Sequence, residues 1–219
     1  MATLPFMLAF FATAILIVRQ FSRFTPRQIA SVAILLVAAG AFWLAWVVRN
    51  DWHTFPMVVG LVATGLGQGA LATLLLNVLV SASPKELAGD VGALRAAANN
   101  LSASAGTALM GALLVGVLSA SVMAHVSASP VITAELREQL DLGSINFLSN
   151  DRLVERLTRT TATPEQVAEA VRINEATRLR SLKIAFLALG ALSLLAIFPA
   201  RRLPAYKPGE VPPERGQMS

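Results

Sequence analysis

Five stretches of this chain, residues 1–18, 28–48, 55–83, 96–124 and 184–200, contain no Asp, Glu, Lys or Arg. All are rich in Leu, Val, Ala, Ile and Phe. A helix that crosses the hydrocarbon core needs about 20 apolar residues, with about 17 as the lower limit. One Arg, Lys or Asp at its centre costs roughly 2.5–3.5 kcal/mol on insertion scales. Five such blocks within 219 residues specify an all-α membrane protein of about five transmembrane helices. The spans are expected at about 1–18, 28–48, 55–80, 96–124 and 181–200.

Composition agrees. The chain is 55% hydrophobic and 14% charged, against roughly 25% charged in ordinary soluble domains. It has no cysteine, which excludes disulfides and thiolate metal sites. His53 and His125 are far apart and sit at span ends, where they read as interfacial residues rather than a metal pair. The net charge of +5 is not gathered into a basic cluster interleaved with aromatics, so nucleic acid is not expected. No cofactor is expected either.

The positive charge follows topology instead. The first connection holds Arg19, Arg23 and Arg27 and no acid, and the tail holds Arg201, Arg202, Lys207 and Arg215. Short loops rich in Lys and Arg stay cytoplasmic. Five spans put both segments on that side, together with Lys85 and Arg95. The expected location is therefore a bacterial inner membrane, multi-pass, with the N-terminus outside and the C-terminus in the cytoplasm.

Residues 125–180 form a long outward segment of nearly balanced charge, read as a solvated helical loop. Thr163-Pro164-Glu165-Gln166 is a helix start: Thr caps, Pro takes the first helical position and Gln completes a capping box. That helix is expected to reach Arg180, and its pattern allows it to continue into the last span. Residues 131–142 and 151–160 are weaker helix candidates. Residues 201–219, with Pro204, Pro208, Pro212 and Pro213, read as a disordered cytoplasmic tail.

Within the membrane, small and polar residues carry the information. Gly65-Leu66-Gly67-Gln68-Gly69 lacks the strand and helix start of a dinucleotide loop. Gly65 and Gly69 lie one helical turn apart and suit close helix packing. Ser104, Ala108, Ala112, Gly116 and Ala120 recur every fourth residue, making a smooth packing face on the fourth span. Polar side chains at membrane depth are the candidates for a substrate cavity: Gln68, Asn77, Asn99 and Asn100. No Asp or Glu lies deep in any span, and there is no nucleotide loop, nucleophile–base pair or metal-ligand spacing. No enzymatic activity is expected.

Pro84-Lys85-Glu86-Leu87-Ala88-Gly89, Gly92-Ala93-Leu94, Asn99-Asn100-Leu101 and Gly106-Thr107-Ala108-Leu109-Met110-Gly111 together resemble a late cytoplasmic loop and the following span of the drug:proton antiporters with fourteen spans. These belong to the major facilitator superfamily. Arg19 to Arg27 is similar to a worn copy of that superfamily's basic loop signature, with Val18, Ser22 and Thr25 at its Gly, Asp and second Gly positions. Asn99 stands where the family commonly has Arg. The resemblance covers about residues 1–203, most specifically 56–116. It implies that the five spans are the last five of fourteen, a partial major-facilitator C-terminal bundle. The chain then reads as the C-terminal part of a proton-coupled multidrug efflux transporter, a fragment inactive alone. Its implied partners are the lipid bilayer, hydrophobic small molecules, protons and the missing N-terminal transporter portion. The alternative is a free-standing five-span membrane protein with a structural or assembly role.

Overall fold

The computed structural model describes residues 3–20, 23–49, 54–81, 88–132, 149–160, 162–203 and 205. These residues form an all-α fold: α1 (Leu4–Gln20), α2 (Pro26–Val47), α3 (Phe55–Ser81), α4 (Ala88–Ala128), α5 (Asn150–Thr158), α6 (Pro164–Leu195) and α7 (Ile197–Ala200). Helices α2, α3, α4 and α6 are long and apolar enough to cross a membrane, and α1 is a shorter apolar helix over Leu4–Ile17. The chain is a membrane-spanning helical protein.

Local chemistry sets the helix ends. At the start of α6 the capping box is closed both ways: the Thr163 N–H donates to Gln166 Oε1 (3.0 Å) and the Gln166 N–H donates to Thr163 Oγ1 (3.3 Å). The same device opens α2. The Thr25 N–H donates to Gln28 Oε1 (3.1 Å) and the Gln28 N–H to Thr25 Oγ1 (3.3 Å), with Pro26 in the first helical position. Thr-Pro-x-Gln occurs at both sites. At Thr25, as at Thr163, it is a helix start.

The helix that starts at Pro164 does continue into the last span: α6 runs unbroken through the charged segment to Leu195. Pro199 then has no N–H to give, and its ring crowds the carbonyl four residues back, that of Leu195. The chain turns at Ala196, whose N–H is shared between Leu192 and Ser193 carbonyls (3.2 and 3.1 Å), and resumes as α7. Residues 131–142 lie mostly outside the described residues, as does the tail beyond 205. The second weak helix candidate is α5, capped by Ser149.

The chain divides into two compact units. The first comprises residues 1–47, 51–100 and 186–219. Here α3 is central: α1 packs along one of its faces and α2 along another. Ile29, Ala30, Ile34, Leu74 and Ala200 form a buried cluster, and Gly190 meets the ring of Phe42. Ala200 joins Ile29 and Ala30, so Arg201 and Arg202 lie at the end of this unit that carries Arg23 and Arg27.

The second unit comprises residues 48–50 and 101–185. In it α4 and α6 run antiparallel. Ser129 donates to Glu169 (3.3 Å), the Gln166 amide donates to the Val131 carbonyl (3.1 Å), and Ile173 clusters with Leu118, Val122 and Val126. α5 closes over α6, burying Leu153 and Leu157 against Val167, Ala170 and Val171. Asn150 ties it down, donating to Glu175 (2.7 Å) and accepting from Asn174 (2.8 Å).

This pairing has a consequence for α4. It has 41 residues, a length of about 60 Å at 1.5 Å per residue, twice the hydrocarbon thickness of about 30 Å. The charged half of α6 ends at Lys183. Equal rise along the two helices puts the Lys183 level near residue 115 of α4, about 30 Å from Arg95. α4 is longer than one crossing requires, and its apolar stretch Gly89–Ala128 contains the whole uncharged block 96–124. Leu118, Val122 and Val126 of α4 pack with Ile132 and with Ile173 of α6 in the buried cluster of this second unit.

Candidate functional site

A cleft of about 380 Å³ opens in the first unit. α1 and α2 both pack on α3 and stand apart from each other, so the cleft has Leu16 and Ile17 on one wall and Val32 and Leu36 on the other. Leu66 and Ala70 of α3 form its floor, with Phe24 and Gln28 at one end. Its polarity is confined to that end. The Thr13 hydroxyl, also in the lining, is taken up by the Ala9 carbonyl at 2.8 Å.

The glycines of α3 create this arrangement. A Cβ added at Gly65 would lie 2.5 Å from the Phe6 carbonyl oxygen of α1, and one at Gly69 would strike the Phe10 carbonyl oxygen. One at Gly67 would lie 2.6 Å from the Ala33 carbonyl oxygen of α2, and one at Gly60 would lie 2.6 Å from Leu44. Gly40 of α2 receives the Thr64 hydroxyl in the same way. Gly65 and Gly69 therefore admit α1, whereas Gly60 and Gly67, seven residues apart, admit α2. The second pair was readable from its spacing. Helix association in lipid depends on such close backbone approach.

Gln68 and Asn77 are nine residues apart on α3. At 100° per residue they point to opposite sides of the helix, so they do not line one surface together. Gln68 is about 200° from both floor residues, Leu66 and Ala70, and faces away from the cleft. Asn77 stands about 20° from Ala70, on the cleft side, two turns further along. Both are half-buried, whereas Asn99 and Asn100 on α4 are exposed. None of the four has a hydrogen-bond partner among the described residues.

The small-residue row on α4 is also uncovered. Ser104, Ala108, Ala112 and Gly116 are exposed, and a Cβ at Gly106, Gly111 or Gly116 would meet nothing within 4 Å among the described residues. Leu101 and Leu109 are 73% and 72% exposed. Arg23 and Arg27 of the basic connection are exposed; the side chain of Arg19 lies outside the described residues.

In the second unit, the Arg172 side chain donates two hydrogen bonds to Glu169 (2.8 and 2.7 Å). This, with the charge of Arg172 and the Ser129 hydroxyl, holds the Glu169 carboxyl below its ordinary value of 4.5 against a smaller opposing effect of burial. A lowered folded-state pKa contributes stability above the ordinary value, lost as pH falls through the lowered one. Unfolding of this unit followed from pH 7 downward is therefore expected to show a loss of stability below about pH 4.5. Glu169→Gln should flatten that slope, and an unchanged slope would remove Glu169 as its source.

Among the described residues no three His, Cys, Asp or Glu side chains gather to hold a metal ion. The chain matches no family model, no curated protein and no solved structure.

Proposed function

We propose that this chain acts as the C-terminal part of a proton-coupled multidrug efflux transporter of the major facilitator type. Gln68 carries the reading. It is a half-buried amide in the middle of an apolar span, without a hydrogen-bond partner among the described residues. A polar side chain at that depth is costly against lipid and belongs beside a water-filled path or another helix. The uncovered small-residue row of α4 adds support, since transporters of this class place such faces between bundles that move around a central site. The side of α3 bearing Gln68, and not the side bearing the cleft, faces the substrate in the assembled transporter. Substrates are hydrophobic small molecules, often cationic, and the titratable groups that couple to protons lie on other helices. The arginine-bearing end with Arg23, Arg27, Arg201 and Arg202 is cytoplasmic, as the positive-inside rule requires.

The test is efflux of a hydrophobic cationic dye from cells lacking other pumps. The chain alone should give none. Co-expression with a nine-span N-terminal portion should restore proton-dependent efflux, and Gln68→Ala should lower it several-fold in that pair. Strong efflux by the chain alone would overturn the proposal, and full activity of Gln68→Ala would remove Gln68 from the substrate path.

A further inference from the structure

The chain has three tryptophans, Trp43, Trp46 and Trp52, all within ten residues. Trp52 lies outside the described residues. The other two stand at the end of α2, where the uncharged block 28–48 gives way to Arg49, an exposed side chain. Trp43 is fixed in place. Its Nε1–H donates to the Pro56 carbonyl of α3 at 2.8 Å, and its ring meets that of Trp46 edge to face, with centroids 5.5 Å apart. The same bond sets Phe55, the first residue of α3, at the level of the indoles. Trp46 and Phe55 are 75% and 79% exposed, and the Trp46 N–H has no hydrogen-bond partner among the described residues. The opposite end of α2 carries Arg27, exposed in the first turn. Trp46 lies 19 residues after Arg27, a rise of about 28 Å at 1.5 Å per residue. The hydrocarbon core is about 30 Å thick.

We propose that Trp43, Trp46 and Phe55 form a lipid-anchoring surface, seated in the glycerol and carbonyl layer of the leaflet opposite the one that holds Arg27. The Trp46 N–H donates there to a phospholipid ester carbonyl. Three observations select this occupant. An indole has apolar faces and one polar edge, so it is best satisfied where hydrocarbon meets water, and Trp is enriched at that boundary. The rise from Arg27 to Trp46 is one hydrocarbon thickness, so α2 with Arg27 at one interface brings Trp46 to the other. The order along the chain, apolar block, then indole, then the Arg49 cation, is the order of environments met on leaving the core. The Trp43 hydrogen bond adds a further property. It joins the end of α2 to the start of α3, so the anchor holds two spans at one depth. The surface rests only on the chain crossing a membrane and is independent of the efflux reading.

The experiment uses the full chain carrying Trp52→Phe, so that all tryptophan emission comes from Trp43 and Trp46. It is reconstituted in phosphatidylcholine vesicles whose acyl chains are brominated either near the carbonyl end or near the methyl end. Bromines near the carbonyls should quench the emission at least about twofold more than those near the methyls. Adding Trp46→Phe should remove most of that quenching, because Trp46 is the more exposed of the pair, 75% against 38%. Equal or stronger quenching from the deep bromines would overturn the proposal, since the indoles would then lie in the core. So would emission untouched by either lipid: quenching by acrylamide would then place the indoles in water, and its absence would place them against a protein partner. Quenching unchanged by Trp46→Phe would also overturn it. The unaltered chain, whose emission comes wholly from residues 43–52, repeats the depth comparison where a variant folds poorly. No transport is measured, so failure here and failure of the efflux reading are separate results.

Discussion

Gly69→Ala is expected to destabilise the chain by about 1–3 kcal/mol, the usual range for overpacking a close interface. The added methyl would strike the Phe10 carbonyl oxygen, and Phe10 Cα lies within 3.1 Å of the same position. These are backbone atoms, so no side-chain rotation relieves the clash and α1 must move away from α3. Gly116→Ala is the matched control. Nothing among the described residues lies within 4 Å of its added carbon, and alanine in a helix interior is favoured over glycine by roughly 0.5–1 kcal/mol. Thermal unfolding in micelles should place the two variants on opposite sides of the unaltered chain. Equal midpoints would mean that α1 is not held on the glycine face of α3. A larger residue at Gly116 should leave the isolated chain stable while impairing efflux of the co-expressed pair, if that row meets other helices in the assembled transporter.

The second large effect is expected at Leu157 of α5, which is fully buried against α6. Leu→Ala at such a site costs about 2–5 kcal/mol. α5 is a helix of 9 residues, below the length of roughly 12–15 at which an isolated helix becomes marginally stable in water. It therefore depends on Leu153, Leu157 and the Asn150 hydrogen bonds. Leu157→Ala should release α5 locally instead of unfolding the chain. Hydrogen exchange is the measurement: amides 150–160 should lose protection while those of α2 and α3 keep it. Retained protection at α5 would show that the asparagine contacts suffice.

Much of this molecule was legible one segment at a time. Apolar runs located α1, α2 and α3 because the lipid solvent is unforgiving of charge over a fixed length. Thr163 to Gln166 located the start of α6 because a capping box involves only residues three apart. The same pattern at Thr25 carried the same information. Gly65 and Gly69 marked a close approach because two glycines one turn apart expose one strip of backbone.

Other features depended on neighbours. Gln68 and Asn77 have similar sequence surroundings, but α1 and α2 pack so that one stands on the cleft side of α3 and the other does not. The candidate cavity pair is thereby split, and the cleft itself was invisible because its walls come from three helices. Leu118, Val122 and Val126 look alike by composition to the rest of α4, and only the structure shows that they pack against Ile173 of α6.

The sequence by itself determined that the chain is helical, that it crosses a membrane and where most of its helices begin, because solvent transfer and capping act within a turn or a span. The tertiary structure alone decided which face of α3 each polar side chain occupies, which residues of α4 pack on α6 and where α1 and α2 part to leave a cleft. Those are set by contacts between segments far apart in the chain, to which no local pattern is sensitive.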